Sequence, residues 1–316
     1  MNPIIHNADY LFNPDLINFD IPVEIHVTRF LLNDYPQCII KHYNKIETEN
    51  IFNEKTNYTF NSTNYRVFVD SNEPAVCYMK ETEEDIIKFS SFYDLLLTSN
   101  KNILEKVPHS KLFVYGTTWL NKQNKDKTYL GEVDLNFQGF DLNKTNSISF
   151  LKTNKSPQAI NNVPGYALRE KIWPLKNNIN HNSLFYYSNV YNNITGINND
   201  GPLPKDDKLN IFNSKFSIII ENSEETNYFS EKIIDCLLTK TIPIYWGCPN
   251  INHYFDTNGF IIFENENDFL NKVNSINLQS FYENKKEYVE HNFNEAKKYA
   301  LNYSKRLENT INNFIK

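Results

Sequence analysis

The stretch Lys215–Phe263, KFSIIIENSEETNYFSEKIIDCLLTKTIPIYWGCPNINHYFDTNGFIIF, decides how this chain is read. Its apolar runs FSIII, TIPIYW and GFIIF are nearly continuous, which suits strands buried on both faces, as parallel strands are. The first strand, Phe216–Glu221, ends in Glu221-Asn222-Ser223. After a loop, Ser230-Glu231-Lys232 opens a helix with Ser230 as N-cap and an apolar face of Ile233, Ile234, Leu237 and Leu238. A second strand, Ile242–Tyr245, ends in Trp246-Gly247.

The same alternation extends outward. Further strands are expected at Val23–Val27, Tyr65–Asp70, Asp94–Thr98, Lys111–Tyr115, Ser147–Leu151, Leu184–Tyr187 and Phe260–Phe263. Helices are expected at Glu83–Phe92, Asn102–Val107, Val163–Trp173 and Glu266–Val273. This order predicts an α/β protein with parallel sheets. The polar stretch Asp141–Asn146 marks a linker between two halves of similar size, and Asn189–Asp207 a loop within the second. From Leu278 to Ile315 no Gly or Pro intervenes, and the spacing predicts one or two helices docked by a buried stripe.

With 40% hydrophobic and 22% charged residues in 316, the chain can bury a core. A net charge of −6 argues against a general nucleic-acid binder. The four cysteines have no metal-ligand or C-x-x-C spacing and are expected to be free thiols in a reducing compartment. No apolar run nears the length of a membrane span, and the start MNPIIHNADYLFNPD lacks the features of a signal peptide, so a cytoplasmic protein is expected. The 50 asparagines, and a lysine count about seven times that of arginine, reflect coding bias, and the six N-x-[S/T] sequons are no more than such a composition produces. No G-x-x-x-x-G-K-[ST] occurs, so a P-loop enzyme is unsupported.

Ligands of open α/β sheets bind outside the carboxyl ends of the strands, where a helix N-terminus offers free N–H groups to phosphate. At that place Lys232 would add a positive charge to a diphosphate, Glu231 an acceptor for a vicinal diol such as ribose, and Asn222 a donor and acceptor. On physical grounds alone Glu231 equally well complements the helix dipole, with Lys232 as solvated surface.

The pieces IIENS, YFSEK, TIPIYWG and GFIIF, in this order and spacing, resemble the donor-binding signature of the α1,3/α1,4-fucosyltransferases, glycosyltransferase family 10. The resemblance is close over about 50 residues. It implies a GT-B fold: an acceptor-binding Rossmann-like domain over 1–145, a nucleotide-sugar-binding one over 146–285, and a C-terminal helix over 286–316 packing on the domains. It implies an inverting enzyme that transfers fucose from GDP-fucose to a hydroxyl of a glycan acceptor, as in glycan biosynthesis or protein glycosylation. Asn222, Tyr228, Glu231 and Lys232 would contact the donor, with Glu231 at the ribose and Lys232 at the phosphates. No Asp-x-Asp occurs, which agrees with a metal-independent enzyme requiring no cofactor. The oligomeric state is not legible.

The chain also departs from the pattern. Family members carry a phosphate-gripping Arg upstream of the FEN strand, and between Lys171 and Thr239 there is none here. Arg169 or Lys205 would substitute, the alternatives being a helix-surface charge and loop surface. That gap leaves open a relative using another nucleotide sugar. In the first half, VFVDSNEPAV (Val67–Val76) places Glu73 beside Pro74 at a strand end. Family members have a Glu beside a Pro there as catalytic base, the group that takes the proton from the attacking hydroxyl; a solvated turn residue is the alternative, which would leave a non-catalytic glycan-binding protein. Trp119 in LFVYGTTWL is suited either to a sugar face or to core packing, and His253 lies close after the TIPIYWG strand.

Overall fold

The computed structural model describes residues 1, 3–6, 17–28, 64–71, 73–74, 80–114, 116–120, 135–153, 155, 162–188 and 199–315. Cys38, Cys77, His42, Tyr115 and part of the Asn189–Asp207 tract lie outside them.

The described residues form two five-stranded parallel sheets. The first has strands β1 (Ile4–His6), β2 (Val23–Thr28), β3 (Tyr65–Asp70), β4 (Leu95–Thr98) and β5 (Ser110–Leu112) in sequential order, with helices α1 (Lys80–Phe89) and α2 (Lys101–Lys106) in the crossovers. The second has β6 (Thr145–Lys152), β7 (Ser183–Tyr187), β8 (Ser214–Ile220), β9 (Ile242–Trp246) and β10 (Ile261–Ile262) in the order β10-β9-β8-β6-β7. Its crossovers include α3 (Pro164–Ile172) and α4 (Glu231–Leu238). Then come α5 (Glu266–Ser275), α6 (Leu278–Asn284), α7 (Lys286–Tyr299) and α8 (Tyr303–Asn312). The parallel α/β architecture is the one the sequence predicts, and two such sheets are what a GT-B fold requires.

Strand order locates the ligand crevice. From β6 the chain builds outward to β7, then returns to lay β8 on the other side of β6. The neighbouring carboxyl ends of β6 and β8 therefore flank a topological switch point, where open α/β sheets bind ligands. The first sheet, built in sequential order, has no such reversal among its described strands.

The run Leu278–Ile315 forms three helices where one or two are expected. The breaks need neither Gly nor Pro: Asn277 and Asn302 cap new helices by accepting from Ser280 N and Lys305 N, and Lys285 ends α6. Phe293 and Ala296 of α7 pack in the second half beside Ile233 and Leu237 of α4. Tyr303, Leu307 and Ile311 of α8 join Val23, Ile25, Val67 and Leu97 in the core of the first sheet. The expected linker is also anchored, because half-buried Lys144 donates to Phe212 O at 2.6 Å, to Ser214 O at 3.3 Å and to Thr241 Oγ1. Burial brings the Lys144 ammonium down to about 7.

Arg306 holds α8 in place. Its guanidinium donates to Val114 O at 2.7 Å, Tyr299 O at 2.8 Å and Gly116 O, and lies over the rings of Phe113, Tyr299 and Tyr303. Carbonyl dipoles and ring faces compensate this half-buried cation. Arg306→Ala leaves three carbonyls without their donor, and urea unfolding is expected to show a loss of about 3 kcal/mol. A midpoint equal to that of the wild type would contradict this account.

Candidate functional site

The site starts from β8. Its last residues Ile218–Ile220 are buried, and the chain leaves the sheet through Glu221, whose side chain has no exposure. The Glu221 carboxylate accepts from Ser230 N at 3.0 Å and from Ser230 Oγ, and lies 3.7 Å from Lys232 Nζ. Ser230 is the N-cap of α4, accepting from Lys232 N. One buried carboxylate thus joins the end of a strand to the start of the next helix. Two glycines allow the neighbouring chain this close: a Cβ on Gly247 would stand 2.7 Å from Glu221 Cγ, and one on Gly165 would stand 1.8 Å from Glu221 O. Gly165 N donates to Asn222 O at 3.0 Å, docking the start of α3 beside the same strand end.

Around this junction the side chains named from the motif converge. Lys232 Nζ lies 2.9 Å from Ser230 Oγ and 3.2 Å from Glu231 Oε1. Arg169 donates to Asn222 Oδ1 at 3.0 Å and to Ile220 O, so it turns inward from α3 instead of standing on the helix surface. Tyr228 is buried nearby and acts electrostatically on Arg169. Glu73 arrives from the other half: Asn222 Nδ2 donates to Glu73 Oε2 at 3.0 Å, and Ser223 Oγ donates to Pro74 O. A third link, Asn227 Nδ2 to Ser99 O at 3.4 Å, brings the end of β4 to the same loop. The carboxyl ends of both sheets therefore meet here.

Four residues of the cluster were not named from sequence. Lys155, just past β6, and Tyr166, in the first turn of α3, are half-buried, and the Lys155 ammonium lies 5.1 Å from the Tyr166 ring centre. Lys208 reaches Asp235 of α4 at 2.6 Å and acts on Glu231, while Asp235 also accepts from Thr118 Oγ1 at 2.6 Å and Trp119 N at 3.0 Å. Lys205, by contrast, is exposed on a turn in the left-handed conformation (φ 56°) and makes no hydrogen bond or ion pair among the described residues. That turn points Lys205 outward, and the following 3-10 turn Lys208–Asn213 carries Lys208 inward. Trp119 is 46% exposed, which removes the core-packing alternative, and Lys208 stands 5.7 Å from its ring centre. His253 is exposed on the turn after β9. Asp70, at the end of β3, accepts from Thr98 Oγ1 at 2.6 Å within the first sheet.

Charge in the site is strongly coupled. Burial alone would raise the Glu231 carboxyl, but Lys232, Lys208 and the hydrogen bonds from Lys232 and Ser230 outweigh it and hold the group at about 2. Glu221 moves upward because burial prevails over Lys232. Burial brings Arg169 down, and Lys232 is raised by Glu231 and Glu221 against its own burial. Lys155, Arg169 and Lys232 thus act on one another and on Glu73, Glu221 and Glu231 within one cluster of mixed charge. Among the described residues no cluster of His, Cys, Asp or Glu is arranged to hold a metal ion, and no helix is long and apolar enough to cross a membrane.

Glu231 also predicts an acid-stability signature. Between about 4.5 and about 2 the unfolded chain binds the proton that folded Glu231 refuses, so stability falls as pH is lowered through that window. The difference in unfolding free energy between wild type and Glu231→Gln is expected to shrink as pH falls from 5 toward 2. A pH-independent difference would exclude the ion pairing described.

No family model matches the chain. It is 42% identical over 57 residues to the alpha-(1,3)-fucosyltransferase FucT of Helicobacter pylori, a match covering 18% of this chain and 11% of that relative. Among solved structures, an alpha1,3-fucosyltransferase with GDP aligns with 86% of this chain and 82% of its own at 17% identity and a TM-score of 0.44. A trehalose-6-phosphate structure from E. coli bound with UDP-2-fluoro glucose aligns with 93% of this chain and 73% of its own at 10% identity and a TM-score of 0.49. The likeness to the α1,3-fucosyltransferases read from the motifs is thus a measured one over a short segment: the chain has a fucosyltransferase homologue there.

Proposed function

We propose that this chain is an inverting glycosyltransferase that moves fucose from GDP-fucose to a hydroxyl of a glycan acceptor. The observation that carries the reading is the meeting of Glu73 with Asn222 across the two halves, at the edge of a cluster holding Lys232 and Arg169. A carboxylate on one side and a phosphate-binding surface on the other are the two groups that an inverting displacement needs. The acceptor oxygen attacks the anomeric carbon while its proton passes to Glu73. The bond from that carbon to the β-phosphate oxygen breaks, and its electron pair stays on GDP, where Lys232, Arg169 and the N-terminus of α4 stabilise the charge. Glu231 would hold the ribose diol. In this reading fixed cations do the work that a bound metal does in other transferases, and neither a metal nor a cofactor is required.

Release of free sugar from a panel of nucleotide sugars tests the donor. Turnover of GDP-fucose well above that of UDP-sugars is expected, and equal rates would point to a different donor. The acceptor is then sought by transfer of labelled fucose to glycan arrays.

Two substitutions separate binding from chemistry. Lys232→Ala is expected to weaken GDP binding at least about tenfold by calorimetry, the value of a charge-assisted hydrogen bond of about 1.5–3 kcal/mol. Glu73→Gln is expected to leave GDP affinity nearly intact, because the Gln oxygen still accepts from Asn222, while turnover falls by about 10²–10⁴. Unchanged turnover in Glu73→Gln would remove it as the base.

A further inference from the structure

Lys155 stands just beyond the carboxyl end of β6, at the switch point that β6 and β8 form. Among the described residues its ammonium makes no hydrogen bond or ion pair, and its contact is the face of Tyr166, 5.1 Å from the ring centre. Arg169 lies over the same ring, also at 5.1 Å, and the acceptors of its hydrogen bonds are two neutral oxygens, Ile220 O and Asn222 Oδ1. Lys232 completes the group, but it leans on Glu231 and Glu221. Two cations thus share one aromatic ring, and among the described residues no carboxylate is bonded to either.

The electrostatics agree with this geometry. Burial and the charge of Arg169 push the Lys155 ammonium below the ordinary lysine range, Glu73 opposes them, and Lys232 adds to the downward pressure. Like charges gathered in a half-buried crevice repel one another, and a dianion placed between them relieves the repulsion. The ring matters as well. It gives both cations a common face, which restricts where a flexible lysine and a planar guanidinium can go.

We propose that Lys155 is a diphosphate-binding residue that acts together with Arg169, the two braced on Tyr166, as a second arm of the phosphate site beside Lys232. The proposal rests on the nucleotide-sugar reading given above. It accounts for the arginine that the fucosyltransferase pattern calls for and that this sequence lacks at the expected place. A lysine after β6 and an arginine on α3 share the task, and both come from the strand–helix connection on the far side of the switch point from the SEK motif.

The test is calorimetry of guanosine, GMP and GDP with the full chain as wild type, Lys155→Ala and Lys155→Arg. Lys155→Ala is expected to lose about tenfold in GDP affinity, equivalent to about 1.4 kcal/mol. Its loss with GMP should be smaller, guanosine binding should be unchanged, and Lys155→Arg should recover most of the GDP affinity. Lysine at this position contributes to phosphate binding only if the loss grows with phosphate number. An equal loss for all three ligands, or none for GDP, overturns the assignment while leaving the nucleotide reading in place. A wild-type chain that binds no GDP while binding another nucleoside diphosphate defeats the GDP-fucose reading, and the same phosphate series on that nucleotide then decides Lys155.

Discussion

A carboxylate with no access to water sits where the central strand of the second sheet hands over to α4, and much of the molecule is arranged around keeping it there. Glu221 is too costly to bury without partners, since removing a carboxylate from water costs several kcal/mol even after relaxation. Ser230 donates to it twice, Lys232 lies 3.7 Å away, and Gly247 and Gly165 give up their side chains to let the backbone pass. Because both Ser230 donors come from the helix cap, the strand end and the helix start cannot move independently. Asn222, Glu231 and Lys232 are neighbours of these two anchored points in the sequence, so their positions follow. The candidate site is preorganised by one buried acid that is itself closed to solvent.

The distribution of arginine points the same way. In a chain with four arginines, Arg169 and Arg306 are both turned inward onto backbone carbonyls. A guanidinium presents five donors in a rigid plane and keeps its charge when buried, which an ammonium does less well. Lys144, turned onto carbonyls in a comparable way, is brought down to about 7 by burial of its ammonium. Where composition favours lysine so heavily, an arginine at a crossing point between elements marks a task that needs several acceptors held at once.

Most strands were legible because parallel strands buried on both faces leave continuous apolar runs. The strand Ile4–His6 escaped, since three residues at a sheet edge carry no period to detect. The three-way division of the C-terminal helices escaped for another reason: asparagine caps end and restart helices without the Gly or Pro that marks a break most clearly. In the site, Asn222, Glu231 and Lys232 were visible because they lie within one contiguous motif. Lys155 and Tyr166 were not, since nothing local distinguishes one lysine among so many; only the pairing of β6 with β8 brings them beside Arg169 and Lys232. Lys205 and Lys208 show how fine the margin is, as three residues and one left-handed turn decide which of them points inward.

The path of α8 has a consequence for how the molecule comes into being. Tyr303, Leu307 and Ile311 fill the core of a sheet whose own strands end by Leu112. During synthesis the first half therefore emerges long before the residues that seal it, and its apolar face waits while the entire second half is made. The second half draws its core from a shorter span of chain and can close earlier, so assembly from the amino terminus gives way to an inside-out order. The helix that completes the core of the first sheet leaves the ribosome only after every strand of the second sheet has been made.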